Sequence, residues 1–137
     1  MDHISINNLN LLKKEVELLN KNVNIIAVSK TFSIEFIKPL ITHGHNHFGE
    51  NKVQEAVEKW TRIKKDFKNI KLHLIGKLQT NKVKFVLPLF DYIHSLDSEK
   101  LAQKISLEQK KVGFKPKIFI QINIGNEIQK SGIDKAN

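Results

Sequence analysis

The chain has 137 residues, 23 Lys and Arg against 14 Asp and Glu, a formal charge of +9 and no cysteine. That length suits one domain, 1–137, able to bury roughly two thirds of its unfolded surface. The missing thiols exclude disulfides, thiolate zinc sites and cysteine nucleophiles.

The lysines are scattered from Lys13 to Lys135 and Arg62 is the single arginine. No basic run is interleaved with aromatics as a base-stacking platform requires, so specific nucleic-acid binding is not expected. Residues 1–10 are polar, and no later apolar run approaches the roughly 20 residues of a membrane span. The expectation is a soluble, cytoplasmic protein without a membrane partner.

In chain order, Leu9, Leu12, Val16 and Leu19 recur at three- and four-residue spacings, which predicts an amphipathic helix over 6–19. An apolar, β-branched run follows and predicts a first strand over 24–28, with Lys30 just past its carboxyl end. Ser33 and Phe36 open a second helix over 33–42, in which Pro39 introduces a kink or an end. His47, Phe48 and Gly49 read as a short second strand. Val53, Val57 and Trp60 then predict a helix over 52–66. The same unit repeats as strand 71–75, helix 80–87, strand 91–94, helix 98–111 and strand 117–122.

Strand and helix thus alternate with short connections, the pattern of parallel α/β architecture built from right-handed crossovers. Two arrangements remain open, a doubly wound parallel sheet and the first part of a (β/α)8 barrel. A closed barrel takes about 250 residues, so length alone favours the open sheet.

Lys30 sits where α/β proteins build their sites. A lysine traps a carbonyl only when partly unprotonated, which an ordinary lysine pKa of about 10.4 opposes unless burial or a neighbouring cation lowers it. Position alone equally suits a lysine snorkelling at a sheet edge. Asn51, between strand and helix, either faces a ligand or caps the helix. On the third strand Leu72 and Leu74 share one face, and Lys71, His73 and Ile75 the other. His73 therefore faces a barrel lumen or sits satisfied in the core.

The run from Gly76 to Thr80 lacks the earlier glycine of a phosphate loop, so no nucleotide triphosphatase is expected. His43, His45 and His47 alternate across a helix end with no carboxylate placed beside them, so no metal site is expected either.

Five segments together are more specific than any one of them: AVSKT at 27–31, FGENKVQE at 48–55, HLIGKLQTNK at 73–82, FDYIHSLD at 90–97 and IQINIGNEIQKSG at 120–132. In order and spacing they resemble the pyridoxal phosphate homeostasis protein family, over nearly the whole chain. The resemblance implies a single-domain barrel similar to the amino-terminal domain of alanine racemase, here its first five β/α units. It implies that Lys30 holds pyridoxal 5'-phosphate as a Schiff base. It also places Asn51, His73 and Asn123, the last at the polar end of the fifth strand, among the cofactor-binding residues.

The family's role is that of a carrier of the reactive aldehyde, without a catalytic residue, passing it to recipient enzymes. A racemase would need a second base across the ring, and the only tyrosine, Tyr92, falls in the fourth strand. Members are longer, and their serine- and glycine-rich phosphate cup and pyridine-facing arginine have no counterpart before Asn137. The chain therefore reads as truncated. Its uncovered apolar lumen and open edges are expected to favour self-association. The alternative function is a fragment that holds no cofactor stably and acts only by associating with another chain.

Overall fold

The computed structural model describes residues 1–137. Apolar spacing does build the first helix, α1 (Ile4–Leu19), yet only Leu9 of it is buried. Next come β1 (Ala27–Val28), α2 (Ile34–Thr42), β2 (His47–Glu50), α3 (Val53–Asp66) and β3 (Lys71–Leu74). A 3-10 turn at Thr80–Lys82 leads into the short α4 (Val83–Val86), followed by β4 (Tyr92–Leu96), α5 (Glu99–Val112) and β5 (Lys117–Ile120). Two minimal strands, β6 (Ile122–Asn123) and β7 (Ile133–Asp134), finish the chain.

Helix ends follow local chemistry. Ser98 caps α5 by accepting the Leu101 N–H at 3.2 Å, and Gly113 closes that helix in the left-handed region at φ +66°. The first strand is shorter than its apolar run, because β1 finds ladder partners in β2 only at Ala27 and Val28. The fifth is also shorter than expected. It ends at Ile120, and Ile122 and Asn123 turn away to pair with Ile133 and Asp134.

The five main strands pair in the order β1-β2-β3-β4-β5, all parallel. A doubly wound sheet reverses its order at a switch point, which sends helices to both faces. Here nothing reverses, so successive right-handed crossovers carry the helices to one face and leave the other as a lumen side. The arrangement is therefore a barrel arc and not the open doubly wound sheet. No helix is long and apolar enough to cross a membrane.

Register sorts the side chains. Phe48 pairs with Leu72, and Leu74 pairs with both Glu50 and Ile93. The apolar members of this set meet Trp60, Val83, Val86, Leu87 and Ile105 in the core beneath the helices. Phe48 and Trp60 rings lie 5.0 Å apart, both fully buried. Asp91 ties this layer together: its Oδ2 accepts the Leu72 N–H at 2.9 Å and the Lys64 ammonium at 2.7 Å. The opposite row carries His47, Gly49, His73, Tyr92, His94 and Phe119, the residues that face the lumen side.

Candidate functional site

Lys30 is exposed in the turn that follows β1. Ion pairs of the chain use Lys59, Lys64, Lys104, Lys111 and Lys130, which leaves the Lys30 amine unengaged. Its neighbours are held far more tightly. The Ser29 N–H donates to the Gly49 carbonyl at 2.9 Å, its hydroxyl donates to Glu50 Oε1 at 2.9 Å, and its carbonyl accepts the Lys59 ammonium at 2.8 Å. On the other side of Lys30 the Thr31 N–H donates to Glu55 Oε1. Thr31 has φ +68°, a left-handed conformation that costs a β-branched residue on the order of 1–3 kcal/mol.

Glu50 is fully buried at the end of β2 and accepts through one oxygen, Oε1, from Ser29, from Lys59 at 2.8 Å and from Trp60 Nε1 at 2.7 Å. Its Oε2 is buried without a partner. Lys59 also reaches Glu55 at 3.2 Å. Partial burial acts to raise the Glu55 pKa, but the Thr31 N–H and the Lys59 ammonium prevail and hold it below the ordinary carboxylate range.

Asn51 follows Glu50, one residue past β2. Lys30 likewise lies just past the end of the neighbouring strand, two residues beyond Val28, which pairs with Gly49. The capping alternative does not hold for Asn51: the N-cap position of α3 is Lys52, and no side chain caps that end. Gly76 is packed against the Asn51 backbone so closely that an added Cβ would lie 2.2 Å from the Asn51 carbonyl oxygen. That glycine sets how near the β3 end can approach Asn51.

His73 does both things the sequence left open. It lies on the lumen row, level with Gly49 and Tyr92, and it is satisfied there. His73 Nε2 lies 2.9 Å from His47 Nδ1, and its Nδ1 lies 2.9 Å from His94 Nε2. With one N–H per neutral ring, donation along these three imidazoles runs in a single direction. The Tyr92 ring stacks on His73 at 4.1 Å and 7°, and Phe119 stacks on His94 at 4.7 Å. Burial, reinforced by His94 and His47, depresses the His73 pKa to about 4, so the ring is neutral at neutral pH. The lumen side thus carries a bonded imidazole ladder alongside the apolar side chains of Ile26, Ile75 and Phe119.

His45 turns to the His47 carbonyl and His43 to Asn10, so the three alternating histidines part company. Asn123 lies in β6, not at the end of the fifth strand. Its amide donates to the Glu127 carbonyl at 2.8 Å and its oxygen accepts the Glu127 N–H at 3.2 Å, closing a local loop. It lines a cavity of about 330 Å³ together with Ile75, Lys77 and Lys130. The structure therefore places Lys30 and Asn51 just past the ends of the adjacent strands β1 and β2, holds His73 within β3 level with Gly49, and engages Asn123 in its own loop.

Sequence reasoning missed Glu50, Glu55, Lys59 and Trp60, although the i, i+4 spacing of Glu55 and Lys59 is a recognisable ion-pair signal. It also missed His47 and His94 as lumen residues.

Fold and site together define a singly wound parallel α/β arc of barrel type, with an unengaged lysine at the end of its first strand. No protein-family model matches the chain. It is 41% identical over 140 residues to the pyridoxal phosphate homeostasis protein of Buchnera aphidicola subsp. Schizaphis graminum, covering 97% of this chain and 60% of that protein. The protein of the same name from Haemophilus influenzae is 40% identical over 134 residues, covering 92% and 56%. Among solved structures, PipY of Synechococcus elongatus without PLP aligns with a TM-score of 0.78 at 35% identity, over 90% of this chain and 59% of that one. PipY with PLP bound aligns at 0.76 and 34% over 90% and 58%. Alanine racemase of Clostridium difficile, 20% identical with a TM-score of 0.71 over 93% and 32%, shares the fold alone.

The relatives of this chain are pyridoxal phosphate homeostasis proteins, the family its five motifs resemble. It spans about half to three fifths of the length of the curated relatives it matches.

Proposed function

We propose that this chain binds pyridoxal 5'-phosphate and serves intracellular homeostasis of that cofactor as a carrier, with Lys30 holding it as a Schiff base. Residues 1–137 then form the five-stranded part of a PLP-binding barrel domain. The observation that carries the reading is the turn at the end of β1, where both neighbours of Lys30 are anchored while its own amine is unengaged. The comparison with PipY, one of whose structures has PLP bound, supports it.

The cofactor supplies an aldehyde that condenses reversibly with an amine and releases water, which suits storage and transfer to recipient enzymes. Lys30 supplies that amine. Asn51, just past the end of the adjacent strand, offers an amide with both a donor and an acceptor. His73, neutral and bonded on both ring nitrogens, orients the lumen floor and brings no charge to a phosphate. Tyr92 is three strands from β1 and stacked on His73, which favours a carrier over a racemase with a second base.

Incubation with pyridoxal 5'-phosphate followed by borohydride reduction tests this. The peptide containing Lys30 should gain the mass of one reduced cofactor, and Lys30→Ala should lose the label. A variant labelled as strongly as the parent overturns the assignment.

A second reading, association with another chain, is favoured by a different observation: all four residues of β5 are exposed and its outer edge is unpaired.

A further inference from the structure

We propose that Glu50, Glu55 and Lys59 form a positioning clasp that fixes the backbone on both sides of Lys30 and so presents its amine. The inference rests on Lys30 being the cofactor lysine. Two elements converge on the two residues that flank Lys30. β2 supplies the Gly49 carbonyl and the Glu50 carboxylate to Ser29, while α3 supplies Lys59 to the Ser29 carbonyl and Glu55 to the Thr31 N–H. Lys59 joins the two carboxylates, at 2.8 Å to Glu50 and 3.2 Å to Glu55, so the two halves of the clasp share one ammonium.

Two features set this cluster apart from an ordinary ion pair. Burying Glu50 completely, with one oxygen unpartnered, is a costly way to stabilise a fold, since apolar residues of similar volume serve as well or better. Charge buried at such cost next to a site is more economically read as geometry than as stability. In addition, Thr31 is held in the left-handed region, and such strain persists only where surrounding contacts over-determine it. Two contacts do so here: the Phe32 N–H closes the turn on the Ser29 carbonyl at 3.3 Å, and the Glu55 carboxylate accepts the Thr31 N–H. Released from the Glu55 carboxylate, the turn relaxes, and Lys30 loses the single orientation from which its nitrogen attacks an aldehyde carbon as the C=N bond forms and the carbonyl oxygen departs as water.

Glu55 is the more exposed acid, with 29% of its side chain accessible, which makes it the variant least damaging to the fold. Glu55→Ala removes the acceptor for Thr31, whereas Glu55→Gln keeps an amide oxygen there. Three quantities are measured: the rate of cofactor attachment to Lys30 by borohydride capture, amide hydrogen exchange at Thr31 in the cofactor-free protein, and the melting temperature. Glu55→Ala should slow attachment roughly tenfold through lost orientation and accelerate exchange at Thr31, with little change in melting temperature. Glu55→Gln should restore both. Equal losses in the two variants, or parent-like exchange and attachment in Glu55→Ala, overturn the clasp. Lys59→Met, which leaves the Ser29 carbonyl with only its bond from the Phe32 N–H, should slow attachment as well, and parent-like attachment in that variant overturns the part given to Lys59. A parent protein that takes no label on Lys30 overturns the cofactor reading instead, and exchange at Thr31 still decides the clasp.

Discussion

The two ends of the sheet are built on opposite principles. Where β1 and β2 meet α3, a carboxylate, an ammonium, a hydroxyl and an indole N–H are buried together and bonded to one another, over a core in which Phe48, Ala56 and Trp60 have no exposure at all. At the other end, β5 presents Phe119 and Ile120 at 52% and 63% exposure, and Ile122 and Ile124 beyond it are likewise exposed. Buried polar groups are tolerable only where every neighbour closes over them, so the first end can hold a site in a defined geometry. Exposed apolar side chains on an unpaired strand specify no geometry and favour another strand alongside.

The largest expected loss breaks the well-packed end. Trp60→Ala removes a fully buried ring and one of the donors to Glu50 Oε1, and should cost about 3–5 kcal/mol in urea unfolding. A loss below 1 kcal/mol would mean that this end is no better packed than the other.

The next effect separates the lumen ladder from both ends. The folded-state pKa of His73, about 4, lies below its ordinary 6.5, so the native state binds fewer protons than the unfolded one. Stability is then fully present above about pH 6.5 and falls as pH drops toward 4. His45, His47 and His94, lowered chiefly by burial, act in the same direction. Urea unfolding across that window should show the decline, and His73→Asn should flatten it. A variant with the parent's slope would place the titration elsewhere.

The smallest expected effect on stability belongs to β5. Ile120→Lys should change unfolding free energy by less than about 0.5 kcal/mol, as for other exposed positions, while lowering the apparent mass in concentration-dependent sedimentation. An unchanged mass distribution would show that this edge drives no association.

Most elements were legible because their periodicity is local. Helical spacing placed α1, α3 and α5 within about two residues, and strand alternation put Leu72 and Leu74 on one face and His73 on the other. Errors arose where distant residues decide. The apolar run before Lys30 is long, but the ladder with β2 ends it at two residues. Asn123 continues an apolar run in sequence, yet β7 draws it out of the fifth strand. Asn51 carries the side chain of a typical cap, but the chain reaches the cap position one residue later.

The sequence by itself determined the β/α alternation, the parity of the third strand and the place of Lys30 at a strand end, because each depends on residues only a few positions apart. Only the tertiary structure decided that the strands run in unbroken order as a barrel arc, since periodicity carries no information about which strands become neighbours. It alone also brought Ser29, Glu50 and Lys59, or His47, His73 and His94, within hydrogen-bonding distance. The contacts of Ser29 with Glu50, His47 with His73 and His73 with His94 span 21 to 26 residues of chain, and they exist only once parallel crossovers have stacked one strand beside the next.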